Sequence, residues 1–269
     1  MKNMKILLAL LAIVSLSIAC TTDDNSDSGS GISSKAREVS KITFEGDDEV
    51  EEYAFKYDSD GRITRVTYSY GDGDYYVKLY YNYGSDNELE IVREYGGDAY
   101  GDDHSYTTYA LLNNKGYMTR IDDLITLSYD SKGYLVSVSE SEEDWWYELS
   151  YLWSGGNIVE TEYMEEVEGD SDSYTITLDY NNKPMSVVNL DLNLVLSYWS
   201  EALYVPYSLG DGLTGRKSKN FMTGWTYESD DYEEEGTISW SYDEDGYPKE
   251  ALVEYDDGDE FCMTIKYKN

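Results

Sequence analysis

The stretch YDSDGRITRV, Tyr57 to Val66, carries the pattern around which the chain is organised. Asp58-Ser59-Asp60-Gly61 forms a turn, because an Asp side chain bonds its own backbone and Gly accepts a positive φ. After the turn, Ile63 to Tyr70 alternates, with Val66, Tyr68 and Tyr70 on one face and Arg65, Thr67 and Ser69 on the other. That period predicts a strand with one face buried and one wet. The unit returns as YDSKGYLVSV (Tyr129 to Val138) and YDEDGYPKEA (Tyr242 to Ala251). Looser copies are LNNKGYMTRI (Leu112 to Ile121), YLWSGGNIVE (Tyr151 to Glu160) and YNNKPMSVVN (Tyr180 to Asn189). Repeated hairpins specify an architecture; they do not specify an activity.

Outward from this unit, the same alternation predicts strands at 39–44, 53–57, 63–70, 75–83, 89–95, 106–112, 117–121 and 124–129. It continues at 135–141, 146–153, 158–167, 174–180, 225–229, 237–242, 248–255 and 260–267. Asp- and Gly-rich turns separate them, Gly71-Asp72-Gly73-Asp74 among them. The pattern breaks once, where Leu192, Val195, Leu196, Trp199 and Leu203 fall at helical spacing ahead of Pro206. One short helical or irregular segment is expected near 193–204. The three prolines fall near turns or irregular stretches, so they interrupt no central strand. The fold class is therefore all-β, an antiparallel meander of about 14–18 strands. So many strands do not stay one flat sheet, and a curved or barrel-like closure is expected.

The amino terminus predicts an address. Lys2 and Lys5 precede thirteen uncharged, mostly aliphatic residues from Ile6 to Ile18. A basic start and a short apolar run describe a secretory signal. Thirteen residues are too short for a spanning helix, which needs about 20. Leu16-Ser17-Ile18-Ala19-Cys20 resembles a bacterial lipobox, although Ser17 stands where Leu is usual, and Cys20 is the expected lipidation site. Residues 1–19 thus read as a lipoprotein signal peptide. Residues 20–35, with Asp23, Asp24 and Asp27 ahead of a Ser/Gly run, read as a flexible acidic tether. Residues 36–269 read as a single β-meander domain.

Composition narrows the function. The chain has a formal net charge of −35, and removing residues 1–19 with Lys2 and Lys5 but no acid brings it to −37. Nucleic acid requires clustered Lys and Arg, so it is excluded as a partner. The one basic cluster is Arg216-Lys217-Ser218-Lys219-Asn220. With Cys20 lipidated, Cys262 is alone, no intrachain disulfide forms, and burial must hold the fold. Tyr is the unusual residue, at 30 against four Phe and six Trp. It suits a pleated surface, with its ring edge in the core and its hydroxyl reaching water.

The lipobox, the acidic tether, the Tyr-Asp-x-x-Gly turns, the Lys183-Pro184 turn, Ser218-Lys219-Asn220-Phe221 and the closing YDEDGYP together resemble a Bacteroides lipoprotein family. The family is a domain of unknown function with a porin-like fold. The resemblance covers nearly all of the mature chain, most firmly residues 174–267. The turn motif is also similar to the YD repeats of large toxin-encasing shells, which need many more copies at steadier spacing. The resemblance implies a curved antiparallel meander and no catalytic residues to carry over. Acidic residues just past the lipidated Cys resemble an export signal to the outer face of the outer membrane. A lipid-anchored, cell-surface location is expected, the periplasmic face being the alternative. The strands' second faces carry Thr, Ser, Lys, Arg, Asp and Glu, which lipid would not accept, so a closed barrel would be tethered and soluble. Leu190 to Phe221 would then pack into its opening.

Sites are few. His104 is the only histidine, placed in the polar run Gly101-Asp102-Asp103-His104-Ser105 and read as an exposed loop residue. No zinc set, Cys–His pair or Ser–His pair has supporting spacing, and no catalytic residue, cofactor or metal is expected. Asp58-Ser59-Asp60-Gly61, Asp72-Gly73-Asp74, Asp243-Glu244-Asp245-Gly246 and Asp256-Asp257-Gly258-Asp259 offer oxygen ligands for calcium. None has EF-hand spacing, and Asp-Gly makes turns without a metal. Tyr76, Tyr80 and Trp146 fall on the face opposite the core and are the candidate ligand-binding residues, by ring stacking on a sugar. The expected function is non-enzymatic recognition of an extracellular ligand such as a glycan. The alternative is a structural or interaction protein that partners another envelope component.

Overall fold

The computed structural model describes residues 36–46, 50–71, 75–85, 87–97, 104–197, 212–230 and 232–268. The signal segment, Cys20 and the acidic tether lie outside them. So do residues 72–74 of one Asp-Gly turn, residues 198–204 of the helical segment and Pro206. Sixteen strands follow one another. The first four are β1 (Val39–Glu45), β2 (Val50–Tyr57), β3 (Ile63–Tyr70) and β4 (Tyr75–Tyr83). Then come β5 (Glu88–Gly96), β6 (His104–Leu112), β7 (Met118–Ile121) and β8 (Ile125–Tyr129). The next four are β9 (Leu135–Glu142), β10 (Trp145–Ser154), β11 (Asn157–Val167) and β12 (Asp170–Pro184). The chain ends with β13 (Asn220–Ser229), β14 (Glu233–Tyr242), β15 (Pro248–Tyr255) and β16 (Glu260–Tyr267). Each strand pairs with its sequence neighbours, and β1 pairs with β16 through Ile42↔Ile265 and Phe44↔Met263. The meander is a closed antiparallel barrel.

Alternation places Ile42, Ile63, Leu89, Ile91, Met118, Val138, Ile176 and Met263 inside, each at 0% exposure. Side chains lining an open channel would be wet, so at this level the barrel is filled. The outward residues include Glu52 and Lys56 on β2, Glu160, Glu162 and Glu166 on β11, and Glu235, Thr237, Ser239 and Ser241 on β14. A membrane-spanning barrel shows lipid an apolar band about 25 Å tall. These strands show charged and polar side chains instead of such a band.

The turns repeat one geometry. The Asp58 carboxylate accepts the N–H groups of Asp60 and Arg62, both at 2.9 Å, and the Arg62 Nε–H at 2.8 Å. Burial works against the charge, yet these bonds hold the Asp58 carboxyl below the usual carboxylate range. Asp130 accepts from Lys132 and Tyr134, and Asp243 from Asp245 and Tyr247, each within 3.0 Å. Gly61, Gly133 and Gly246 close these turns at φ between 80° and 90°, which a side chain rarely adopts.

The tyrosines do more than cover the core. Tyr57 Oη donates to the Val39 carbonyl at 2.6 Å, Tyr83 Oη to Ile63 at 3.1 Å, and Tyr129 Oη to Met118 at 2.7 Å. Tyr267 Oη donates to Pro248 at 2.6 Å, Trp153 Nε1 to Leu135 at 2.6 Å and Trp240 Nε1 to Met222 at 2.7 Å. The rule is common to all six: a ring near the end of an even-numbered strand grips a carbonyl near the start of the strand before it. The expectation that these hydroxyls reach water is corrected, since they clamp neighbouring strands. Burial raises the Tyr129 and Tyr267 hydroxyls well above the ordinary phenol range.

The described parts of the β12–β13 connection fill one end. Lys183-Pro184, expected to turn, instead ends the longest strand, with Pro184 opposite Asn220. The helix begins at Leu192, as the spacing predicts, and α1 spans Leu192–Ser197. Met185, Val188, Leu190, Leu192, Val195, Leu196, Leu213 and Phe221 all join the core, so the segment plugs the barrel. Buried Asn193 locks it, donating Nδ2 to the Asn220 carbonyl and accepting the Met222 N–H, both at 2.9 Å. Asn189 Oδ1 accepts the Val39 N–H at 2.9 Å. The basic cluster serves the same end, with Lys217 Nζ donating to the carbonyls of Val188 (2.8 Å) and Asn189 (3.0 Å).

Candidate binding mouth opposite the plug

The two ends of the barrel differ. The plug, the six clamps and the Asp-x-x-Gly turns all lie at the end where β1 begins. The chain enters there, since the Arg37 N–H donates to the Val187 carbonyl and its own carbonyl accepts the Asn189 N–H. The Arg37 guanidinium stacks over the rings of Tyr247 and Tyr267 and pairs with Asp243 at 3.1 Å. The described chain therefore begins at the plugged end.

At the opposite end the wall has a notch. β7 has four residues and β8 five, against seven to fifteen in the other strands. The β6–β7 ladder reaches only Ala110↔Ile121 before the chain turns at Asp122, whose φ is +47°. Asp122 caps it, donating its N–H to the Tyr109 carbonyl at 2.7 Å and accepting the Tyr109 N–H on Oδ1 at 2.9 Å. Beyond this point β6 is paired with β5 on one side, from Glu88↔Leu111 to Tyr95↔His104. Among the described residues no strand pairs with its other side. Across the gap, β8 leaves β9 after Ile125↔Glu140, so Ser141 and Glu142 pair only with β10.

The notch opens a pocket of about 550 Å³ beside β6, lined by Arg93, Tyr95, His104, Tyr106, Thr108 and Asp122. Tyr106 is 62% exposed at its rim and meets the Tyr95 ring edge-on, 5.9 Å between centroids. Arg93 lies over the same ring and donates to the Tyr95 hydroxyl. Tyr109, Leu111 and Leu124 are exposed around the short hairpin. The rim is otherwise acidic: Asp122 and Asp123 on the β7–β8 turn, Glu140 and Glu142 on β9, Glu143 and Asp144 beyond it. The arrangement can bind through rings, charge and free backbone groups.

The residues singled out from sequence fall elsewhere. Tyr76 and Tyr80 lie together on the outward face of β4, half-buried, with Lys78 Nζ over the Tyr76 ring at 4.2 Å and Tyr80 Oη bonded to Glu94 at 3.0 Å. Trp146 is outward on β10, with five strands between it and β4 in the barrel order, so the three do not form one row. His104 is exposed as expected, but it opens strand β6 opposite Tyr95 rather than sitting in a loop. The Asp-x-x-Gly carboxylates are occupied by their own backbone, and Asn113 makes the same turn by accepting from Lys115 and Tyr117. A neutral amide filling that place shows the geometry belongs to the turn. Among the described residues no group of three potential metal ligands converges. Cys262 is free and half-buried, its thiol raised by burial and by Glu250. The Tyr106 mouth was missed. The expected strands 117–121 and 124–129 are no shorter than 39–44 and 53–57, so strand length in the sequence does not mark the notch.

The barrel is similar to porin-like proteins of Bacteroides. One, from Bacteroides uniformis ATCC 8492, superposes with a TM-score of 0.60 at 17% identity over 86% of this chain and 98% of its own. Another, from Bacteroides vulgatus ATCC 8482, gives 0.54 at 16% identity over 86% of this chain and 99% of its own. At such identities the likeness shows the fold. No protein-family model matches the sequence, and no curated protein matches it. The porin-like wall here is plugged at one end, filled through its middle and charged outside.

Proposed function

We propose that the protein is a lipid-anchored, non-enzymatic recognition protein of the outer-membrane surface. One observation carries this reading: the chain enters at the plugged end, and the mouth opens at the other. A protein hung from Cys20 through the 20–35 tether would present Tyr106 and its pocket away from the membrane. The periplasmic face remains the alternative address for the same anchor. Asp58, Asp130 and Asp243 are engaged by the backbone of their own turns, which supports recognition over catalysis.

Two ligand classes answer to the wall. A glycan would stack on Tyr106, or on Tyr76 and Tyr80, whose outward faces flank Lys78. A protein of the envelope would use the unpaired backbone of β6 as well as the rings. The open edge favours the protein partner, because a sugar leaves that edge unmet. Labelling with radioactive palmitate, lost in Cys20→Ser, tests the anchor, and protease shaving of intact cells tests the face. A chain that resists shaving sinks the surface assignment. A glycan array with the Tyr76→Ala, Tyr80→Ala, Trp146→Ala and Tyr106→Ser variants separates the two ligand classes.

A further inference from the structure

We propose that the free edge of β6 accepts an extended, Lys- or Arg-bearing segment of a partner protein as an added β-strand. The inference rests on the recognition reading above and names its ligand. Three observations converge on it. First, the edge is long enough to template a strand. Tyr109 turns its N–H and C=O toward Asp122, and backbone direction alternates along a strand. Thr107 and Ser105 therefore aim their N–H and C=O into the notch, while His104, Tyr106 and Thr108 bond back to β5. Second, the described residues leave room. With β7 and β8 cut short, β6 and β9 face each other across three interstrand spacings, about 14 Å. Third, the surroundings select a partner. The pocket wall supplies Tyr95, Tyr106 and Thr108 to alternate side chains of an added strand.

Charge decides which segment enters. Asp122, Asp123, Glu140, Glu142, Glu143 and Asp144 surround the notch, against Arg93 and Arg120, and Arg120 is already paired with Asp123 at 3.4 Å. A second copy of this chain, at net −35, brings the same acidic rim and is repelled. An acidic or neutral strand gains only backbone bonds. A segment alternating β-branched residues with Lys or Arg gains those bonds, ring contacts and ion pairs together, which is the usual division of affinity and specificity in strand addition. An unpaired edge normally invites indiscriminate pairing, and charge at its rim is how that is limited.

The test is selection of a phage-displayed decapeptide library on the full chain. Enriched peptides should alternate Val, Ile or Thr with Lys or Arg, and should bind more weakly as salt is raised. Thr107→Pro removes a donor aimed into the notch and spares the ladder to β5, so binding should fall by about tenfold or more. Thr107→Val keeps the N–H and should bind as the parent does. If Thr107→Pro lowers the unfolding midpoint, Glu142→Lys with Glu143→Lys poses the same question on an exposed rim and should cost about tenfold. Failure to enrich any peptide, enrichment of acidic ones, or binding that survives both sets of changes overturns the proposal. So does a glycan captured by the mouth that is lost in Tyr106→Ser and kept in Thr107→Pro. None of these outcomes depends on the anchor, so the surface reading stands or falls separately through palmitate labelling and shaving.

Discussion

The plugged end and the open end of this barrel are made from the same tyrosine-rich strands, and they spend their polar groups differently. At the plugged end, hydroxyls and indole N–H groups clamp carbonyls, carboxylates cap turns, and Asn193 joins the plug to β13. At the open end, Tyr106 stands exposed, Ser105 and Thr107 present backbone to the notch, and the acids ring it. Groups satisfied inside the fold stabilise it, while groups left facing outward are available to a partner. Stability should therefore concentrate at one end and recognition at the other.

Phe221, fully buried against Trp240 and Tyr242, gives the largest expected effect. Phe221→Ala should cost about 4 kcal/mol in denaturant unfolding, through lost burial and the cavity left behind. Asn193→Ala comes next, at about 3 kcal/mol, because it strands the Met222 N–H and the Asn220 carbonyl without partners. Gly236→Ala should cost about 2 kcal/mol, since a Cβ there would lie 2.1 Å from the Trp225 ring, which is itself buried. Tyr57→Phe or Tyr267→Phe deletes one clamp and should cost about 1 kcal/mol. Tyr106→Ser at the mouth should shift stability by less than about 0.5 kcal/mol. If it destabilises as much as the clamp variants do, the division between the two ends collapses.

A pH series sharpens the same contrast from within the plug. Burial raises the Asp191 carboxyl above its ordinary range, opposed by the Ser218 N–H and the Lys217 ammonium. A carboxyl raised on folding favours the folded state most when protonated, and that contribution is lost as pH rises through the folded value. Relative to Asp191→Asn, which does not titrate, the parent should gain stability as pH falls from neutral toward the carboxylate range. A difference between the two that stays flat with pH would mean that Asp191 is not held in a desolvated plug.

Much of the wall was legible from local pattern. The expected strands 63–70, 75–83, 248–255 and 260–267 match β3, β4, β15 and β16 end for end. Strands with Asn or Gly at a boundary ran longer than the alternation showed: β13 begins at Asn220 rather than at 225, because β12 extends to meet it. His104 read as loop because its sequence neighbours are polar, yet pairing with Tyr95 makes it strand. The mouth was read least well. Alternation puts Tyr76, Tyr80 and Trp146 on one face, and a face does not say which strands stand side by side.

By itself, then, the sequence determined the hairpins, their turns and the side of each strand that is buried, since these follow from a two-residue period and from Asp and Gly chemistry within a few residues. Only the tertiary structure decided that β1 meets β16, that residues 185–196 and 213–221 fold back into the lumen, that tyrosine hydroxyls grip the preceding strand, and that two short strands open a notch. Those outcomes depend on neighbours far apart in the chain, whose contacts exist only once the wall has closed.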